Sequence, residues 1–390
     1  MVDHRVLKEL IKLHWKIKRP LFTHGPVGIG KSDVHRQAGM EIADELSLDF
    51  IEYTDDPSRI NDEDVFMFID TRLAQLDPSD LRGIPWVFAL VKDNGKYREV
   101  PVNNLSEEMS LITMRTKWCP PIDFPQRGYG LWLFDELNIA PEIVQKSAYQ
   151  LFLRRCLGTY KVPDGFGLFV AGNREEDGCG VIPQPKALEN RFNHVELDPP
   201  SIEDWSNWAV INRIDSNIVG FLNFKPTMLF SWDPNAKSYA QPTPRTWEFA
   251  SQIIQEIGHD NLKEIQVAVS TAVGEGASLE LVSFMRKKEN LPDIKEILKN
   301  PKKLDLENMP VDIKYVLVTS LAEHGISHKD DAEEIKRITK TYGYLINQGL
   351  VEMSFLGLKL MYPHLTDNVR NEVIYDSSFD ELLTLFKYLT

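Results

Sequence analysis

Cysteine is scarce in this sequence. Cys119, Cys156 and Cys179 are scattered and odd in number, which excludes a disulfide framework and offers no metal-ligand spacing. No apolar run is long enough to span a bilayer. The charged start (Lys8, Glu9, Lys12, Lys16, Lys18) is not that of a secretory signal. Basic charge is also short, since 44 Lys and Arg against 58 Asp and Glu leave a net charge of −14. That balance argues against a chain whose main task is to hold nucleic acid, although it does not exclude a local basic surface. Internal repeats and low-complexity tracts are missing as well. These absences lead us to expect a soluble protein of a reducing, cytoplasmic setting with no membrane partner.

What is present describes a globular chain. Its 390 residues, 43% hydrophobic and 26% charged, call for two or three domains. Short apolar runs at Leu21–Thr23, Val65–Asp70, Leu131–Phe134, Leu168–Ala171 and His194–Leu197 read as buried parallel strands. Helical stripes alternate with them: Val34, Ala38, Ile42 and Leu46 share one face, and Val144, Ala148, Leu151 and Phe152 another. The pattern changes near Pro199–Pro200. Ser201 followed by Asp204 resembles a capping box, and no clear strand follows it. A further boundary is expected around Asn300–Met309, where Pro, Lys and Asp cluster.

The strongest local signal is Gly25-Pro26-Val27-Gly28-Ile29-Gly30-Lys31-Ser32, a G-x-x-x-x-G-K-[ST] phosphate-binding loop between an apolar run and a helical stripe. Its glycines let backbone amides close on phosphate oxygens, and the helix N-terminus adds a favourable dipole. Lys31 would reach the β- and γ-phosphates of ATP, and Ser32 would ligate Mg²⁺. Downstream, Leu131-Trp-Leu-Phe-Asp135-Glu136 ends a buried strand in two carboxylates. Alone this is an ordinary strand end; behind a phosphate loop, Asp135 suits a Mg²⁺ partner and Glu136 the base that polarises attacking water.

Three further residues extend the set. Asn173 ends the run Leu168-Phe-Val-Ala-Gly172 and could hold the lytic water without adding charge. Arg191, in Ala187-Leu-Glu-Asn-Arg191-Phe192, precedes the last strand, where an arginine could act on a neighbouring subunit's site. Thr243 and Pro244 read as N-cap and first helical residue, which puts Arg245 in a first turn where the dipole disfavours a cation. An anionic ligand such as ATP would offset that cost.

These motifs in this order resemble an AAA+ ATPase, and two longer stretches are similar to the MoxR group within it. One is Phe68-Ile-Asp-Thr-Arg-Leu-Ala-Gln-Leu-Asp-Pro-Ser-Asp80-Leu-Arg-Gly83-Ile-Pro85. The other is Arg154-Arg-Cys-Leu-Gly-Thr-Tyr-Lys-Val-Pro163-Asp-Gly-Phe-Gly-Leu-Phe-Val-Ala-Gly-Asn173. Trp205-Ser-Asn-Trp208-Ala and Pro244-Arg245-Thr-Trp247-Glu resemble the group's lid.

The resemblance implies an α/β fold: an αβα core over residues 1–200 with a five-stranded parallel sheet of order 5-1-4-3-2. A helix-two insert at about 86–126 and a hairpin at about 154–167 would belong to that core. An all-α lid over 201–285 and a helical extension over 286–390 would follow. Lys31 and Ser32 would bind phosphate and Mg²⁺, Asp135 and Glu136 would form the Walker B pair, and Asn173 would be sensor one. Arg191 would be the finger and Arg245 sensor two. The group's properties further imply a homo-oligomeric ring, hexameric in expectation, that remodels a protein client. A separate chain with a von Willebrand factor A domain would be its partner, because no such domain is fused here. The competing readings are a nucleic-acid motor, on the basic residues Lys96, Arg98, Arg154, Arg155 and Lys161, and a nucleotide-gated scaffold with little turnover.

Overall fold

The computed structural model describes residues 1–93, 95–106, 109–184 and 186–374. The chain divides into two compact units, Met1–Pro199 and Pro200–Thr390.

The first unit is built on a six-stranded parallel sheet. Its strands are β1 (Leu21–His24), β2 (Asp49–Glu52), β3 (Val65–Arg72), β7 (Tyr129–Asp135), β10 (Phe166–Gly172) and β11 (Asn193–Glu196), in the order β11-β1-β10-β7-β3-β2. The five strands expected from the sequence all occur, and their order is the expected 5-1-4-3-2. The sixth, β2, corrects the count. Asp-Phe-Ile-Glu carries a charge at each end and pairs on one side only, with β3. It is exposed or half-exposed throughout, so a search for buried apolar runs passes over it.

Parallel strands need both faces covered, and this sheet is covered by helices. The helix Lys31–Leu46 follows β1, and Glu142–Arg154 follows β7. Helix His4–Ile17 buries Leu7, Ile11 and Trp15. Trp132, Phe134, Phe166 and Val170 from neighbouring strands form one apolar cluster with Val144, Ala148, Leu151 and Phe152, the helical stripe visible in the sequence. Two indoles are tied by polar contacts: Trp132 Nε1 donates to Thr71 Oγ1 and Trp15 Nε1 to the Gly130 carbonyl, both at 2.9 Å.

Between β3 and β7 the chain makes a separate antiparallel sheet of β4 (Ile84–Asp93), β5 (Lys96–Pro101) and β6 (Ser110–Cys119), in the order β5-β4-β6. It occupies the segment expected to be an insert; residues 94, 107 and 108 of that segment lie outside the described residues. Ala89 and Val91 are buried, whereas Trp86, Tyr97, Met114 and Trp118 are exposed. A short hairpin, β8 (Cys156–Leu157) and β9 (Tyr160–Lys161), leads into β10. The Arg155 guanidinium donates to the carbonyls of Pro163 and Phe166 at 2.8 and 2.6 Å, which fixes the base of that hairpin.

The second unit is helical in all its described regular elements, from Ile202–Ile211 to Asp367–Ile374. One cluster of buried side chains runs from Trp205 to Val369. Tyr342, fully buried, donates its hydroxyl to the Val318 carbonyl at 2.7 Å, and Trp247 Nε1 donates to the Met228 carbonyl at 2.8 Å. Ser201 and Thr243 cap their helices as the sequence suggests, accepting from the amides of Asp204 and Thr246. Residues 375–390 of the expected C-terminal extension lie outside the described residues.

Gly130 lets β7 lie close between β3 and β10. A Cβ there would lie 2.3 Å from the Met67 carbonyl oxygen and 2.3 Å from the Phe166 ring. Gly130→Ala is therefore expected to destabilise the first unit by about 2 kcal/mol, read as a lower urea midpoint in tryptophan fluorescence. An unchanged midpoint would show that the strands can part at no cost.

Candidate functional site

The register of the sheet determines which side chains meet. In the β1–β10 pair His24 aligns with Gly172, so Gly25 and Asn173 leave the sheet side by side. In the β3–β7 pair Arg72 aligns with Asp135, and β7 is also the other neighbour of β10. Three strand ends thus converge at the carboxyl edge, where open α/β sheets place ligands.

The glycine-rich loop fills the space beside them. Gly28 and Gly30 have φ of 72° and 88°, a left-handed backbone that turns successive amides inward. A Cβ at Gly25 would lie 2.9 Å from the Leu197 carbonyl oxygen, so the loop passes close under β11. His4 Nε2 shares a hydrogen bond with the Ile29 carbonyl at 2.9 Å, which ties the loop to the first helix.

Lys31, 9% exposed, donates to the carbonyls of Gly25 and Pro26 at 2.8 and 2.7 Å and to Asn173 Oδ1 at 2.9 Å. Ser32 Oγ donates to Asp135 Oδ2 at 2.6 Å. Pro26, Val27 and Ile29 complete the loop. The structure therefore brings together Gly25 to Ser32, Asp135, Glu136 and Asn173. A hydroxyl and a carboxylate in contact are hard oxygen donors of the kind that suit Mg²⁺, and the glycine cradle with its lysine suits a polyphosphate. The residues present fit such a ligand pair.

Glu136 has a φ of 62°, an uncommon conformation for a residue with a side chain. Its amide donates to Asp135 Oδ1 at 2.8 Å, and its carbonyl accepts from the amides of Ile139 and Ala140. Among the described residues its half-buried carboxylate has no hydrogen-bond partner, which leaves it open to water.

Among the described residues, Arg191 and Arg245 make no hydrogen bond or ion pair with this set. Arg191 precedes β11 with its guanidinium 5.9 Å from the Tyr149 ring centroid and no ion pair among the described residues. Arg245 belongs to the second unit, exposed in the first turn of helix Pro244–Ile257.

The structure adds residues that the sequence did not single out. Asn138, 4% exposed, donates Nδ2 to the Asn173 carbonyl at 2.5 Å. A Cβ at Gly172 would lie 2.3 Å from Asn138 Oδ1, so this contact requires glycine there. Arg174 pairs with Asp177 and Glu196 at 2.9 and 3.2 Å and joins the ends of β10 and β11. His24 and His194 share a hydrogen bond at 2.9 Å, and burial followed by the neighbouring His194 pushes His24 down to about 4. None of these carries a local motif; Asn138, the His24–His194 pair and the Arg174–Glu196 contact each depend on a neighbour far away in the chain.

No protein-family model matches the chain, and no curated protein is similar to it. Among solved structures the chain is similar to a mutant of Thermotoga maritima RuvB, at 12% identity over 78% of each chain and a TM-score of 0.32. It is also similar to Brucella abortus NtrX in complex with ATP, at 12% identity over 99% of this chain and 67% of that one, with a TM-score of 0.35. A third likeness is to Aeropyrum pernix ORC2 in ADPNP–ADP complexes, at 11% identity over 98% and 94% and a TM-score of 0.32. Backbone agreement this loose does not bear on chemistry, which rests on the residues above.

The fully buried His35 supports Lys31 from behind. Its Nδ1 shares a hydrogen bond with the Lys31 carbonyl at 2.9 Å and its Nε2 with Thr23 Oγ1 at 3.3 Å. Burial pushes it from 6.5 down to about 4. Between those values the unfolded chain binds the extra proton, so this stability is present above about pH 6.5 and is lost as pH falls towards 4. Between pH 7 and pH 5 the loss is about 2 kcal/mol. Urea unfolding at both values should show that step in the parent and a smaller one in His35→Gln; equal steps would mean His35 takes up its proton without unfolding.

Proposed function

We propose that this chain is an Mg²⁺-dependent ATPase of the AAA+ type, within it a MoxR-like protein that works as a ring on a protein client. The observation that carries the reading is the paired contact of Lys31 with Asn173 and of Ser32 with Asp135, at 2.9 and 2.6 Å. A phosphate-loop lysine and hydroxyl meet an amide and a carboxylate from two other strands, as hydrolysis of a phosphoanhydride requires.

In this reading the amides of Gly25 to Gly30 and the Lys31 ammonium hold the β- and γ-phosphates of ATP. Ser32 and Asp135 hold Mg²⁺, which supplies charge neutralisation when bound. Glu136 accepts the proton of the attacking water, and Asn173 orients that water while Asn138 fixes the Asn173 backbone. Arg191 reaches a neighbouring subunit as a finger, and Arg245 on the lid (201–285) senses the nucleotide. Support for Arg191 is its freedom from any carboxylate among the described residues. The insert (about 86–126) would face the ring's pore or a separate partner chain, such as one carrying a von Willebrand factor A domain. The ring would be hexameric.

One observation favours the nucleic-acid reading as the second choice. The exposed β4–β6 sheet sets Trp86, Tyr97 and Trp118 among Lys92, Lys96, Arg98, Arg115 and Lys117, a mixture that suits stacking on single strands. Against it, Arg155 of the hairpin is engaged with backbone carbonyls, and the chain carries a net charge of −14.

The test is ATP turnover by the purified chain over a wide range of protein concentration, with and without single-stranded DNA. Specific activity should rise with concentration, and Glu136→Gln should lower turnover by at least about a hundredfold while retaining ATP binding. Lys31→Ala should lose binding as well. Turnover left intact in Glu136→Gln would refute the assigned base, and stimulation by DNA would favour the motor. Separately, Arg191→Ala subunits mixed with Glu136→Gln subunits should recover activity at some ratio. Recovery at no ratio would count against an arginine acting in trans.

A further inference from the structure

The second unit contains a cleft of about 650 Å³ that the nucleotide reading does not use. The turn Arg213–Ser216, the end of helix Pro244–Ile257 and one face of helix Val311–Ser327 form its walls. Ile214, Ile294 and Ile326 make part of the lining apolar. The volume is that of a pocket for a small organic molecule.

The carboxylates at this cleft are already matched. Asp215, 6% exposed, accepts from the Asn217 amide at 3.0 Å and pairs with His259 Nε2 at 2.8 Å. Glu323 accepts from Ser216 Oγ at 2.9 Å, Asn217 Nδ2 at 2.6 Å and Lys288 Nζ at 2.8 Å. His324 Nε2 is engaged by Glu334 at 2.9 Å.

What remains is cationic or donating. The exposed Arg213 guanidinium has no partner among the described residues, while its backbone carbonyl is pinned by Gln255 Nε2 at 2.8 Å. Ser320 lies on the wall, 3% exposed, and its hydroxyl also has no partner among the described residues. His364 is lowered first by burial, then by the charges of Arg213 and Lys329, so the positive field reaches into the cleft.

Arg213 has a φ of 55° just beyond the helix Ile202–Ile211, where the Ile214 amide donates back to the Ala209 carbonyl. That left-handed position after a helix favours glycine. Lys18, Ser47 and Arg155 take the same position at other helix ends, so glycine can replace Arg213 without disturbing the turn.

We propose that this cleft binds a small organic anion, with the Arg213 guanidinium gripping its phosphate or carboxylate group and the Ser320 hydroxyl donating to the same group. A planar guanidinium matches either oxyanion with two parallel hydrogen bonds. The isoleucines face the organic remainder.

The test uses the full chain carrying Lys31→Ala, which removes the competing phosphate loop, in equilibrium dialysis against pyrophosphate and, separately, citrate. At least one should bind saturably at one site per chain. Arg213→Gly should weaken that binding at least about tenfold without lowering the melting temperature, because glycine accepts the left-handed turn. Arg213→Asn, which tolerates the same backbone, serves as a second variant if the glycine loosens the turn. Tighter binding of pyrophosphate would assign a phosphate ligand and tighter binding of citrate a carboxylate, and both support the proposal. Binding of neither anion, or binding undiminished by both Arg213 substitutions, would overturn it. ATP turnover in the Arg213 variants of the parent chain reports on the other site separately.

Discussion

Lys31 is held from three sides, and that arrangement depends on which strands lie next to each other. Its partners include two carbonyls from the loop after β1 and one amide oxygen from the end of β10. They meet because β1 and β10 pair in parallel with His24 opposite Gly172. A slip of one residue would turn every side chain to the other face of the sheet. β7, on the far side of β10, brings Asp135 to Ser32 in the same way. Gly172 belongs to this arrangement too, since any side chain there would displace Asn138 from beneath Asn173.

How much of this was legible in the sequence follows from how local each signal is. The phosphate loop is eight consecutive residues whose chemistry and conformation are both encoded there, so Lys31 and Ser32 could be assigned directly. Asp135 and Asn173 could be read because each ends a buried apolar run, and a strand end has few places to go. β2 escaped because Asp49 and Glu52 make an edge strand look like a polar connection. The β4–β6 sheet escaped for the opposite reason: with so much of it exposed, its apolar and polar residues need not alternate. Asn138 and the His24–His194 pair are invisible locally, because their partners lie 35 and 170 residues away. The residues of the second unit's cleft, between Arg213 and His364, are equally dispersed.

The second unit satisfies most of its buried polar groups within its own helices. Deep in the helical core, Tyr342 and Trp247 each find a backbone carbonyl, whereas the buried Trp205 Nε1 and Ser354 Oγ have no partner among the described residues. Asp215 and Glu323 are supplied with several donors each. The Ser320 hydroxyl and Arg213 guanidinium, unpartnered among the described residues, line the cleft from two different walls.

The position of β1 also bears on how the chain comes to be folded. β1 is among the first strands in the sequence, yet its two neighbours in the sheet are β10 and β11. During synthesis from the N-terminus, residues 21–24 emerge long before residues 166–196 can pair with them. The loop and helix that follow β1 are made early and must wait for the far end of the unit to settle. Closing so long a stretch is entropically costly and slow, and the apolar Leu21 and Phe22 stay unpaired in the meantime. A ribosome-bound fragment that stops short of β10 would therefore present a complete phosphate-loop sequence with no site around it, and an open strand for chaperones to shield.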